Sequence, residues 1–78
     1  MRIDILGVGF DNLTMTEAVA RGCELLAGEG AHYVVTPNPE IVETCRADAA
    51  AMAAVNGADL VLPGGFGGVF GAQLVGTP

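Results

Sequence analysis

Apolar positions along the chain fall into three short runs separated by stretches with helical spacing. Arg2 to Leu6 reads as a first strand, with Ile3, Ile5 and Leu6 as its apolar members. Gly7-Val8-Gly9-Phe10-Asp11-Asn12 reads as a turn-rich connection because of its glycines and Asx residues. Thr14-Met15-Thr16-Glu17 has the hydroxyl-x-x-glutamate spacing of a capping box. The helix it opens carries Met15, Ala18, Val19, Gly22, Leu25 and Leu26 on one face. Gly28 is the expected stop, in a left-handed conformation that costs glycine little. His32 to Val35 is a second apolar run, rich in aromatic and β-branched residues, and is read as a strand. A helix is predicted from Pro39 to about Arg46, with Ile41, Val42 and Cys45 as its apolar stripe. Asp48 caps a further alanine-rich piece over Ala49–Val55, closed by Asn56-Gly57. Ala58-Asp59-Leu60-Val61-Leu62 is the third strand, and a glycine-weakened helix is expected over about Phe66–Val75.

This order, β-α-β-α-β-α, predicts a parallel sheet built from residues near 2–6, 32–35 and 59–62. Right-handed crossovers should place helices on it. The fold class expected is α/β, a Rossmann-like three-layer arrangement in shortened form. There is neither an internal repeat nor a linker, so residues 1–78 are read as one incomplete domain. So short a chain buries only about 60 to 65% of its unfolded surface. An apolar sheet edge left open would then favour self-association.

The stretch Thr36-Pro37-Asn38-Pro39-Glu40 stands out at the end of the second strand. A residue before proline is driven toward extended geometry, so Thr36 and Asn38 are both expected to be extended. In an extended chain, residues two apart point to the same side. A hydroxyl and an amide are thereby presented together, just past a strand. Pro39 suits the first helical position with Asn38 as N-cap, and that cap is by itself a sufficient reason for the pair. In open parallel sheets, ligands bind at the carboxyl ends of strands beside helix N-termini.

Charge and composition narrow the function classes. Nine acids against three arginines, with no lysine, give a net charge of −6 and no basic footprint for nucleic acid or anionic lipid. A hydrophobic content of 51% argues against disorder. Cys23 and Cys45 sit in helical stretches and are read as reduced structural thiols of a cytoplasmic protein. One histidine and no CxxC leave no metal-binding pattern, and no cofactor is expected. The N-terminus has an early acid and no long apolar core, so it is not read as a signal peptide. No run of about 18 apolar residues marks a membrane span.

The glycine cluster Pro63-Gly64-Gly65-Phe66-Gly67-Gly68 invites a phosphate-loop reading that fails in detail. A Walker A loop needs a lysine, and the dinucleotide fingerprint needs a small residue where Phe70 stands. Its backbone amides remain able to line a polar ligand, or the glycines simply let a helix pack closely on the third strand. His32 has no evident partner in the sequence and is read as structural. Asp11, Glu40 and Asp59 lie near strand ends, and the helix dipole accounts for Glu40.

Taken together and in order, Ile3-Asp4-Ile5-Leu6-Gly7-Val8, Phe10 to Met15, Tyr33 to Glu40 and Asn56 to Pro63 resemble the N-terminal part of the WecG/TagA/CpsF glycosyltransferases. The resemblance covers essentially the whole chain, and Thr36 to Glu40 is its most specific piece. It implies a Rossmann-like domain that transfers N-acetylmannosamine, or a related hexose, from a UDP-sugar. The acceptor it implies is a polyprenyl-diphosphate-linked N-acetylglucosamine, in teichoic acid or cell-surface polysaccharide synthesis. Catalysis is implied to be inverting and metal-independent. Carried over by position, Thr36 and Asn38 fall in the active-site pocket, Thr36 against the acceptor or transferring sugar, with Gly64 and Gly65 lining the substrate.

Two departures matter. The family's general base is an aspartate in a Pro-Asp-Gly stretch, where this chain has Pro63-Gly64-Gly65. Gly64 has no side chain to accept a proton. Family members are also much longer, and their later sugar-nucleotide positions and C-terminal membrane-docking segment have no counterpart among these residues. Peripheral membrane association would depend on that segment. The isolated chain is therefore expected to be inactive. The alternatives are a non-catalytic remnant that binds a nucleotide-sugar or a partner chain, and a small stand-alone nucleotide-binding module.

Overall fold

A computed structural model describes residues 1–76. The elements are β1 (Arg2–Ile5), β2 (Val8–Asp11), α1 (Met15–Ala27), β3 (Val34–Val35), α2 (Pro39–Ala47), α3 (Ala49–Asn56) and β4 (Leu60–Val61). A 3-10 turn, Gly64–Phe66, then leads into α4 (Gly67–Val75). The class is mixed α/β, with two separate two-stranded sheets.

The expected three-stranded parallel sheet is corrected here. Residues 2–5 do not join the other two strands; they pair antiparallel with Val8–Asp11, so the stretch read as a connection is a strand. The cause is local. Leu6 and Gly7 both adopt positive φ, 53° and 94°, which closes a two-residue turn of the kind that matches hairpin twist. Glycines at 7 and 9 suggested a loop, yet only Gly7 turns the chain; Gly9 sits in the ladder opposite Asp4.

β3 and β4 do pair in parallel, Val34 with Leu60 and Val35 with Val61. Strand side chains alternate between faces, and two clusters follow from that. Val61 and Val35 pack with Val42, Cys45, Ala51 and Val55 of α2 and α3. Leu60, Leu62 and Val34 pack with Ala18 and Val19 of α1 and with Phe70 and Leu74 of α4. Helices thus cover both faces of the short parallel pair.

The helix starts follow their caps. Thr14 accepts from the Glu17 amide while the Glu17 carboxylate accepts from the Thr14 amide, at 3.1 and 2.8 Å. Asp48 accepts from Ala50 and Ala51 at the start of α3. Two expectations for α1 differ. Gly28 is extended rather than left-handed, the positive φ falling at Gly30. Leu26, placed on the buried face, is 74% exposed, because the helix turns it past the packing stripe. Among the described residues no helix is long and apolar enough to cross a membrane.

Side chains moor the hairpin to the rest. Arg2 donates to the carbonyls of Asn56 and Ala58 at 2.8 and 2.7 Å. Asn56 accepts from the Gly9 amide and donates to the Gly7 carbonyl, both at 2.8 Å. The buried Val61 amide, on the β4 edge facing the hairpin, donates to the Asp11 carboxylate at 2.8 Å.

Candidate functional site

The loops after β3 and β4 leave the same end of the parallel pair. Prolines 37 and 39 shape the first loop, and Asn38 caps α2 by accepting from the Ile41 amide at 2.9 Å. That side-chain oxygen is therefore committed to the helix start, and the Asn38 NH₂ group is its remaining polar end. Thr36 is half-buried and Asn38 exposed.

The second loop presses against the first. A Cβ at Gly64 would lie 3.2 Å from the Asn38 Cα and 3.4 Å from its amide nitrogen. A Cβ at Gly67 would lie 3.1 Å from the Thr36 hydroxyl oxygen. Gly65 faces open space. Thr36, Asn38, Gly64 and Gly65, chosen from sequence, thus belong to two adjoining loops. Gly67 entered the sequence reading only as a member of the glycine cluster; its meeting with Thr36, across 31 positions, leaves no sequence signal beyond the glycine itself.

Beside these loops opens a cavity of about 500 Å³. Its walls are mainly apolar: Ile3, Ile5, Leu6 and Phe10 from the hairpin, and Pro37, Pro39, Val42 and Pro63 opposite. Asp11 and Glu43 reach its rim. Each of these acids has an arginine partner, Arg2 at 3.3 Å from Asp11 and Arg46 at 3.1 Å from Glu43. Gly64 lies on the same wall, so the position implied for the proton acceptor borders the cavity and contributes only backbone.

At the opposite end of β4, His32 corrects the reading that it lacks a partner. Its ring nitrogens lie 3.2 Å from the Asp59 carboxylate and 3.0 Å from the Glu29 carbonyl. Asp59 also accepts from the Tyr33 amide, and chiefly that hydrogen bond holds its carboxyl below the usual range. This cluster ties the entry of β3 to the entry of β4, away from the candidate loops. Cys23 and Cys45 are free thiols, Cys45 buried in the α2–α3 cluster. Among the described residues no three His, Cys, Asp or Glu side chains gather as a metal-binding group.

Adjoining exit loops beside a cavity are the arrangement in which open parallel sheets carry their ligand crevices. Comparison with known proteins makes this more specific. The pattern of the Glycosyl transferase WecG/TagA/CpsF family matches residues 3–78, and the chain belongs to that family. Similar proteins include an N-acetylglucosaminyldiphosphoundecaprenol N-acetyl-beta-D-mannosaminyltransferase of Staphylococcus aureus strain NCTC 8325, and its counterpart in strain COL. Each is 35% identical over 68 residues, covering 85% of this chain and 27% of the relative. The chain thus spans about a quarter of the length of the curated relatives it matches.

Proposed function

We propose that residues 1–78 are the N-terminal part of a Rossmann-like glycosyltransferase domain acting in cell-wall or cell-surface polysaccharide synthesis. The donor in this reading is UDP-N-acetylmannosamine or a related UDP-hexose. The acceptor is a polyprenyl-diphosphate-linked N-acetylglucosamine, used at the cytoplasmic face of the membrane. Transfer inverts the anomeric centre and needs no metal. The observation that carries the reading is the meeting of the Thr36–Pro39 and Gly64–Gly67 loops beside a cavity, in a chain whose family is a glycosyltransferase family. Thr36 would orient the reacting sugar through its hydroxyl, and Asn38 would contribute its free NH₂ group. Gly64 and Gly65 would offer backbone groups to the substrate.

One observation favours binding without catalysis. Deprotonating the acceptor hydroxyl calls for a base within hydrogen-bond reach, and position 64 supplies none. The two readings separate in two experiments. In the first, UDP-N-acetylmannosamine is titrated into the labelled chain and followed by NMR. Shifts at the amides of Thr36, Asn38, Gly64 and Gly65 are expected; saturating donor without shifts there would remove both readings for the isolated chain. In the second, residues 1–78 are fused to the remaining part of an active relative and compared with the Gly64→Asp fusion. A lost general base typically costs about 10²- to 10⁴-fold, so the aspartate form should be at least about tenfold faster. Equal rates in two folded fusions would show that another group takes the proton.

A further inference from the structure

We infer that the outer edge of β3 is a strand-acceptor site, which takes an extended apolar segment in parallel orientation. The occupant is the polypeptide that follows the aligned stretch in the relatives.

The first argument is which edges are open. The β4 edge facing the hairpin is blocked, since its Val61 amide is already bound by the Asp11 carboxylate. On β3, the Val35 carbonyl accepts from Leu62, toward β4, at 2.9 Å. Backbone groups of successive strand residues point to opposite edges, so the Val34 N–H and C=O point outward. A hollow of about 190 Å³ adjoins this edge, with Leu25, Leu26, Val34 and Leu74 as its apolar wall and His32 and glycines completing it. A side chain from an added strand would enter it.

The second argument is handedness. The crossover from β3 to β4 runs through α2 and α3, on the face of Val35 and Val61. α4 lies on the opposite face, with Leu60 and Leu62. Parallel crossovers share one hand. Two successive crossovers of one hand on opposite faces travel in opposite directions. The first moves from β3 to β4, so the second returns across β3, and the strand after α4 lands on the outer edge of β3. The relatives are long enough to supply it, since the alignment covers only 27% of their length and the resemblance is to the family's N-terminal part. The inference concerns assembly of the sheet and stands independently of the sugar chemistry proposed above.

The test is complementation. A synthetic peptide of the residues that follow the aligned stretch in the Staphylococcus aureus relative is titrated into the labelled 78-residue chain, with a scrambled peptide as control. Slowed exchange of the Val34 amide is expected, with shifts at the methyl groups of Leu25, Leu26 and Leu74. Val34→Pro removes the outward-facing donor along with a half-buried side chain, so with folding verified by circular dichroism it should weaken binding by about tenfold relative to Val34→Ala, which keeps the donor. Leu26→Asp, at a position 74% exposed, should weaken binding while leaving the circular dichroism spectrum unchanged. Binding that leaves Val34 exchange unaltered, shifts confined to the hairpin, or equal binding of the scrambled peptide would overturn the inference. So would no binding to a chain shown to be folded, or Val34 protection in the free chain that rises with concentration.

Discussion

Replacing Asp11 by alanine should be among the most damaging single changes to this fold. One carboxylate oxygen accepts from the Val61 amide at 2.8 Å, and the other faces the Arg2 guanidinium at 3.3 Å. Val61 is fully buried beneath Asp11, so its N–H loses its partner once the carboxylate is gone. A hydrogen bond to a charged group contributes about 1.5–3 kcal/mol, and a buried donor left unsatisfied costs about 1–3 kcal/mol. The two figures describe one loss, so the hydrogen bond accounts for about 2 kcal/mol. The arginine pair is partly exposed, with side chains 32% and 18% accessible, and adds well under about 1 kcal/mol after solvent screening. Arg2 keeps its two carbonyl partners, so the hairpin stays attached at that corner. Asp11→Ala should therefore lose about 2–3 kcal/mol, whereas a domain of this size has about 4–12 kcal/mol in all. Asp11→Asn retains an acceptor for Val61 and should lose about 1 kcal/mol. Urea titration followed by circular dichroism measures both, and amide exchange at Val61 localises the effect. An unchanged midpoint for the alanine variant, or equal losses for alanine and asparagine, would refute the assignment of the carboxylate as the clasp between hairpin and β4.

Other expectations are tested as simply. Thr14→Ala should cost about 1 kcal/mol, because it removes one side of an intact capping box; an unaltered denaturation midpoint would count against it. Leu6→Asn should raise stability by about 0.5 kcal/mol, since asparagine tolerates positive φ and the leucine is 55% exposed; a lower midpoint would contradict this. Asp59 has its carboxyl depressed below the ordinary value of 3.8, so its contribution is present above that pH and fades as pH falls further. Asp59→Asn should flatten the loss of stability below pH 3.8, and equal slopes would exclude the effect. Ile3, Ile5 and Leu6 stand 47, 49 and 55% exposed on the hairpin, so sedimentation should show concentration-dependent association that Ile5→Lys reduces. A clean monomer at high concentration would dismiss it.

Local chemistry made much of this protein legible without coordinates. The caps at Thr14, Asn38 and Asp48 lie two or three residues from the amides they bind, so their signal is contained in a few neighbouring letters. The extended geometry before Pro37 and Pro39 is likewise set by one steric clash, and it placed Thr36 and Asn38 correctly at the end of a strand. The family resemblance drew on those same short segments. What needed tertiary structure was every decision made between distant parts. Whether residues 2–5 join the parallel sheet or fold back as a hairpin depends on the turn at Leu6–Gly7 and on Arg2, Asp11 and Asn56, whose bonds across the molecule span 47 to 56 positions. The meeting of Gly64 with Asn38 and of Gly67 with Thr36 has the same character. Periodicity reports which face of an element is apolar, but which loops adjoin follows only once the strands have paired.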